Sequence, residues 1–184
     1  LSKYTNKVVK TIIYTHSHPD HSGGAGTFRE TATEIIAFSN KQPSLEYGQY
    51  IKDVRERRSI AQYGYDLTKE EAISQGIGIR EGRATGEGTY DILKPTLVLE
   101  NNETELTIDG VLLKFVAAPG ETGDSGFIWL PKERVLCCGD NYYGCWPDLY
   151  AIRGAQYRDI AIWLKSLEKI ISYEAEILLP GHTK

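Results

Sequence analysis

The stretch Val8-Val9-Lys10-Thr11-Ile12-Ile13-Tyr14-Thr15-His16-Ser17-His18-Pro19-Asp20-His21 decides how this chain is read. Its first half is an apolar, β-branched run of the kind that forms a buried strand. Its second half packs three of the chain's four histidines and an aspartate into one short loop. The fourth histidine, His182, lies in Pro180-Gly181-His182-Thr183, directly after a second apolar run, Ile177-Leu178-Leu179. Neutral imidazole is the commonest metal ligand, and alternate residues of an extended strand end face one pocket. Histidine confined to two loops, each just past a predicted strand, is the pattern of a metal site.

The spacing suggests more than one ion. His16 and His18 can face the same ion, and Asp20 and His21, after a turn, can face a second. A tetrahedral zinc takes three or four protein ligands, so these four residues with His182 point to a two-metal site. Two carboxylates occupy equivalent places. Glu121 lies in Pro119-Gly120-Glu121-Thr122-Gly123 after a predicted strand over 111–116, and Asp140 in Gly139-Asp140-Asn141 after one over 134–138. Loops beyond the C-terminal ends of strands are where open α/β sheets place their sites. The charges also balance. Two divalent ions are offset by Asp20, Glu121, Asp140 and one bridging hydroxide, and a partly buried site tolerates a neutral sum best.

Around these loops the chain alternates strands and helices. Strands are expected over 8–14 and 33–38, with a short helix opened by Gly23-Gly24-Ala25-Gly26 between them, an order that implies a parallel crossover. A helix is expected from Pro43 to about Gly64 with Ser44 as N-cap, then a Gly-rich irregular segment over 64–95. Further strands are expected at 97–99, 105–108 and 111–116, the last two joined by the hairpin signal Asp109-Gly110. A second hairpin is expected around Pro131-Lys132, between 127–130 and 134–138. An amphipathic helix is expected over 156–172, with Ile160, Trp163, Leu164, Leu167, Ile170 and Ile171 on one stripe, and a last strand over 176–179. The fold class is α/β, layered, with one domain over 1–184.

Composition narrows the function classes. The chain has 184 residues, 41% hydrophobic and 25% charged, the balance of a globular domain with a real core. The net charge is −4, and the one basic cluster, Arg55-Glu56-Arg57-Arg58, reads as a solvated helix face, not a nucleic-acid patch. No apolar run reaches the roughly 18 residues of a membrane span. Cys137, Cys138 and Cys145 do not suggest a disulfide framework. The chain begins at Leu1 and contains no Met, so it is expected to be a fragment of a longer protein. Its compartment is left open.

His16-x-His18-x-Asp20-His21 resembles the signature of the metallo-β-lactamase superfamily. Glu121, standing where most of that superfamily has a histidine, resembles its alkylsulfatase branch, as do Gly139-Asp140-Asn141, Leu149-Tyr150-Ala151-Ile152-Arg153-Gly154, Arg158-Asp159 and Trp163. The resemblance implies a metallo-β-lactamase-like αββα sandwich, here without its N-terminal strands. It implies two Zn²⁺ per chain, with His16, His18 and Glu121 on one, Asp20, His21 and His182 on the other, and Asp140 shared. Asp20 would also orient the attacking hydroxide, Arg153 would bind sulfate, and Tyr150 and Asn141 would contact substrate. The implied reaction is hydrolysis of an anionic sulfate ester by metal-activated hydroxide. The partner is a small-molecule ester, and a homodimer is expected only with the C-terminal region that the alkylsulfatases carry. Where alkylsulfatases read His-Asn-Leu-Tyr-Thr, this chain reads Pro147-Asp148-Leu149-Tyr150-Ala151. A carboxylic ester, thioester or lactone hydrolase, and a non-catalytic metal-binding fragment, therefore stand as alternatives.

Overall fold

β1 (Thr11–Ile13) and β2 (Glu34–Phe38) run parallel, with Ile12 opposite Ile35, and β3 (Leu97–Leu99) adds to β2 in the same direction. The computed structural model describes residues 3–41, 52–64, 66–68, 70–71, 91–145, 147, 149 and 158–182. Between β1 and β2 lie helix α1 (Pro19–Ser22) and a 3₁₀ turn (Ala25–Phe28). The crossover expected from the sequence is there: the glycine run opens the 3₁₀ turn, with Gly24 directly before it, and a further short helix, α1, precedes it from Pro19. Proline suits a first helical position because the N–H it lacks would have no partner there.

A second sheet contains five strands, β4 (Glu103–Ile108), β5 (Val111–Ala117), β6 (Gly126–Leu130), β7 (Val135–Gly139) and β8 (Ile177–Pro180), in that order. The first three pairings are antiparallel, and β8 joins β7 in parallel. Asp109 and Gly110 both have positive φ, 49° and 79°, which the two-residue turn between β4 and β5 requires. The parallel β7–β8 pair needs a long crossover, supplied in part by helix α3 (Ile160–Ser172). A further helix, α2 (Lys52–Tyr63), ends before Gly64, whose φ is 62°.

The two sheets pack face to face. Ile36, Phe38 and Leu99 from the first meet Leu113, Phe115 and Ile128 from the second in one buried cluster. On the outer face of the five-stranded sheet, Ile170 of α3 packs with Val116, Phe127, Leu136 and Cys138. Tyr14, Ala25, Ile35 and Leu93 form a cluster on the three-stranded sheet. Helix, sheet, sheet and short helical segments thus follow one another as layers, the arrangement that buries an apolar face on each element.

Within the span read as one domain there are two compact units. Leu1–Ser44, Asp91–Leu149 and Arg158–Lys184 form the one just described; Leu45–Tyr90 and Tyr150–Tyr157 form the other, to which α2 belongs. The expected cap Ser44, most of the Gly-rich segment, Tyr150 and Arg153 lie outside the described residues. Among the described residues no helix is long and apolar enough to cross a membrane, and Cys137, Cys138 and Cys145 are free thiols.

Two expectations for α3 need correction. The helix begins at Ile160, not Gln156, because Asp159 caps it: its carboxylate accepts from the N–H groups of Ala161 and Ile162, both at 3.0 Å. The six apolar residues also do not share one buried face. Helical spacing splits them into two rows, and Trp163 and Ile170 are buried while Ile160, Leu164 and Ile171 stay exposed. The cap sets where α3 starts and hence where Arg158 and Trp163 sit. Asp159→Ala is expected to lower stability by about 1 kcal/mol. In a urea titration this would read as a lower midpoint at unchanged slope; an unshifted midpoint would show that the cap does not set the helix start.

Candidate metal centre

Four strand ends deliver the site. The main chain leaves β1 by Tyr14, whose N–H bonds to the carbonyl of Ile36 at 2.9 Å, and Thr15, whose carbonyl accepts from Gly126 at 3.0 Å. This ties the histidine loop to both sheets before His16 turns inward. His18 holds extended geometry as the residue before α1, and its carbonyl accepts from the Ser22 hydroxyl at 2.9 Å. Asp20 and His21 then ride on the first turn of α1. Glu121 follows β5, Asp140 follows β7 and His182 follows β8. The Gly181 N–H bonds to the Gly139 carbonyl at 2.8 Å, fastening the last loop beside the one that carries Asp140. Gly181 is there for space: a Cβ on it would run into the Asp140 carboxylate and lie 2.6 Å from Cε1 of His21.

All seven predicted ligand residues come together as two adjoining groups. His16, His18, Glu121 and Asp140 form one, and Asp20, His21, Asp140 and His182 form the other, each with its donor atoms within 4.8 Å of one another. Asp140 is common to both. Its Oδ2 lies 4.0 Å from Nε2 of His16, 3.1 Å from Nε2 of His21 and 3.1 Å from Nε2 of His182. Oδ2 of Asp20 lies 3.3 Å from Nε2 of His21 and 3.2 Å from Nε2 of His182. In the other group Nδ1 of His18 is 3.9 Å from Oε1 of Glu121.

Two observations test whether a cation fits. First, Nε2 of His16, Oε2 of Glu121 and Oδ1 of Asp140 are buried with no hydrogen-bond partner among the described residues. Buried polar atoms normally have partners, and three orphans within one group leave room for a ligand that accepts lone pairs. Second, the 3.1–3.3 Å separations in the other group match the roughly 3.3 Å edge of a tetrahedron with metal–ligand bonds of about 2.0 Å. The donor set, imidazole nitrogen and carboxylate oxygen, suits a divalent transition ion.

The electrostatics agree. Burial, with the neighbouring His21 and His18 adding to it, pushes His16 down to about 3, so its ring is neutral. His21 is pushed up to about 10; burial opposes the rise, but hydrogen bonds to Asp140 and Asp20 outweigh it. Asp20 is held well below the usual carboxylate range, chiefly by its hydrogen bond to His21. Burial lifts Glu121 to about 7 although the Arg158 guanidinium pulls the other way, and Asp140 adds to the rise.

Two residues near the centre have contacts that the sequence did not indicate. Asn141, expected to contact substrate, is buried and turned inward. Its amide donates to the Ala118 carbonyl at 2.6 Å and accepts from the Glu121 N–H at 3.4 Å, so it braces the loops that carry Glu121 and Asp140. Arg158, noted only as part of a resemblance, forms an ion pair with Glu121 at 2.7 Å, both side chains nearly inaccessible at 8% and 7% exposure. The only local signal was a charged residue directly before a helix cap. Arg158 also adds one positive charge that the charge balance expected from the sequence did not count.

Without a metal, His21 carries a proton at neutral pH. The stability this gives is complete below its ordinary value of 6.5 and is lost as pH rises towards about 10. His16 acts in the opposite sense, contributing above 6.5 and losing its contribution as pH falls towards about 3. A divalent ion needs deprotonated ligands, so its uptake must expel the His21 proton. Adding Zn²⁺ at pH 7 is expected to release about one proton or more per chain. Calorimetry in buffers of different ionisation enthalpy measures this, and heats independent of buffer would contradict the protonated His21.

Comparison with known proteins agrees with this geometry. The sequence model of the metallo-β-lactamase superfamily matches residues 1–182. The chain is 27% identical over 188 residues to a linear primary-alkylsulfatase of a Pseudomonas strain, a match covering 98% of this chain and 35% of that protein. It is 35% identical over 170 residues to the alkyl/aryl-sulfatase BDS1 of Saccharomyces cerevisiae, covering 88% of this chain and 26% of that protein. The chain thus spans between about a quarter and a third of the length of these relatives. Among solved structures, the Pseudomonas sec-alkylsulfatase Pisa1 superposes with a TM-score of 0.73 at 22% identity, covering 98% of this chain and 30% of that one. A metallo-β-lactamase family protein from Thermus thermophilus superposes with a TM-score of 0.62 at 21% identity, covering 96% and 55%. Two sheets packed face to face, the histidine loop after β1 and a family match over nearly every residue lead to one conclusion: the chain belongs to the metallo-β-lactamase superfamily, with alkylsulfatases among its relatives.

Proposed function

We propose that this chain carries the catalytic centre of a dinuclear zinc hydrolase that cleaves sulfate esters. The observation that carries the reading is the convergence of seven ligand-type residues into two groups joined at Asp140, with three buried donor atoms left without partners. In this reading His16, His18 and Glu121 hold one zinc, Asp20, His21 and His182 hold the other, and Asp140 serves both. A pair of divalent ions so held would lower the pKa of water towards about 7 and supply a nucleophile at neutral pH.

The chain's own residues do the rest. Asp20 is half exposed, with Oδ2 beside both His21 and His182, and can accept a hydrogen bond from the attacking water and fix its direction. Arg158 leaves the ligand sphere with one positive charge beyond neutrality, which favours an anionic ester over a neutral one. Arg153 is assigned to the sulfate group, whose oxygens suit a planar guanidinium fork, and Tyr150 is assigned as a further substrate contact. The similarity to alkylsulfatases supports the sulfate ester as substrate. The altered segment Pro147-Asp148-Leu149-Tyr150-Ala151 favours a carboxylic ester, thioester or lactone as the second reading.

Zinc-loaded protein assayed on an alkyl sulfate and on the matching carboxylic ester separates the readings. Turnover of the sulfate is expected. Turnover of the carboxylic ester alone would favour the second reading, and no turnover with two metals bound would contradict a hydrolase. Arg153→Lys keeps the charge and loses the fork, so sulfate kcat/KM is expected to fall about tenfold, or ~1.4 kcal/mol of transition-state stabilisation, with metal content unchanged. Unchanged kcat/KM with lowered thermal stability would make Arg153 a loop residue instead.

A further inference from the structure

Resting on the zinc reading above, we propose that Arg158 is a positioning residue that clamps Oε1 of Glu121 and makes this place in the centre selective for a carboxylate over an imidazole. The guanidinium lies 2.7 Å from Oε1 of Glu121, while Oε2 of the same carboxylate is buried without a hydrogen-bond partner among the described residues. One oxygen is thus occupied by a fixed cation, and the other is left for a ligand. Arg158 is itself buried, at 8% exposure, with its guanidinium against Glu121, through which it can act on the ligand group.

The clamp is itself held. Its guanidinium carbon lies 5.8 Å from the centroid of the Trp163 ring, a cation–π distance. The Trp163 indole N–H donates to the Asn141 carbonyl at 3.0 Å, and the Ser166 hydroxyl donates to the Pro119 carbonyl at 2.7 Å. The start of α3 therefore grips both the Pro119–Glu121 loop and the Asp140–Asn141 loop. A Cβ on Gly120 would strike the Asn141 amide and lie 2.8 Å from Cδ1 of Trp163, so these loops have no slack here.

The same contacts account for a carboxylate, and not an imidazole, at position 121. Guanidinium offers N–H donors and no acceptor. An imidazole giving one nitrogen to a metal has only an N–H left on the other, and beside Arg158 that N–H would face further donors and a positive charge. A carboxylate has an oxygen for each neighbour. Partners that orient metal ligands typically matter tenfold to a hundredfold in metal affinity.

The test is zinc affinity, read by competition with a chromophoric chelator, for the whole chain and for Arg158→Gln, Arg158→Lys, Glu121→His and the double variant Glu121→His/Arg158→Gln. Arg158→Gln and Arg158→Lys are each expected to weaken one of the two zinc equivalents by roughly tenfold or more. Glu121→His is expected to weaken it as well. In the double variant the introduced amide carbonyl can accept the imidazole N–H, so it is expected to bind more tightly than Glu121→His alone. A merely structural arginine would not produce that rescue. Arg158→Lys keeps the charge and serves where Arg158→Gln does not fold. Wild-type affinity in both Arg158 variants, or a double variant no tighter than Glu121→His, overturns the proposal while leaving the zinc centre standing. A wild-type chain that takes up no zinc overturns the centre and this proposal together.

Discussion

Oδ2 of Asp140 stands 3.1 Å from each of two imidazoles, those of His21 and His182, and 4.0 Å from a third, that of His16. Two further carboxylates, Asp20 and Glu121, and the His18 imidazole complete the two groups. Buried polar atoms without partners are costly, and buried carboxylates need positive charge nearby. In the metal-free chain that charge comes from a proton on His21 and from Arg158. Divalent ions would replace the proton and satisfy the orphaned atoms as well. The need to neutralise and satisfy this cluster governs the surrounding architecture.

The fold meets that need with rigid strand ends. β1, β5, β7 and β8 each end in a ligand loop, and each loop is tied to its neighbours: Thr15 to Gly126, Gly181 to Gly139, Asn141 to Ala118, Trp163 to Asn141. The Phe38–Phe115 side of the core locks the two sheets against each other, so the loops they carry keep a common frame. Helix α3 contributes from outside the sheet, its apolar row packing down and its first residues reaching the ligand loops.

What could be read in the sequence follows the range of each interaction. His16, His18, Asp20 and His21 are local in sequence, and their spacing alone indicates a shared pocket. Glu121, Asp140 and His182 were found because each follows an apolar run, and strand ends converge in a layered α/β fold. Pairings that depend on tertiary placement were not legible. Nothing in its neighbours shows that Asn141 turns inward or that Arg158 meets Glu121, since each partner comes from a distant segment. The start of α3 was missed because periodicity runs smoothly past Asp159, and only the cap geometry marks the boundary. The stripe on α3 was read as one face because apolar content does not say which of two adjoining rows the sheet covers.

The central claim is that two divalent ions share Asp140. Anomalous diffraction at the zinc absorption edge, from crystals of the zinc-loaded protein, tests it most directly. The account predicts two peaks, one among His16, His18, Glu121 and Asp140 and one among Asp20, His21, Asp140 and His182. A single peak, or zinc bound away from Asp140, would contradict it.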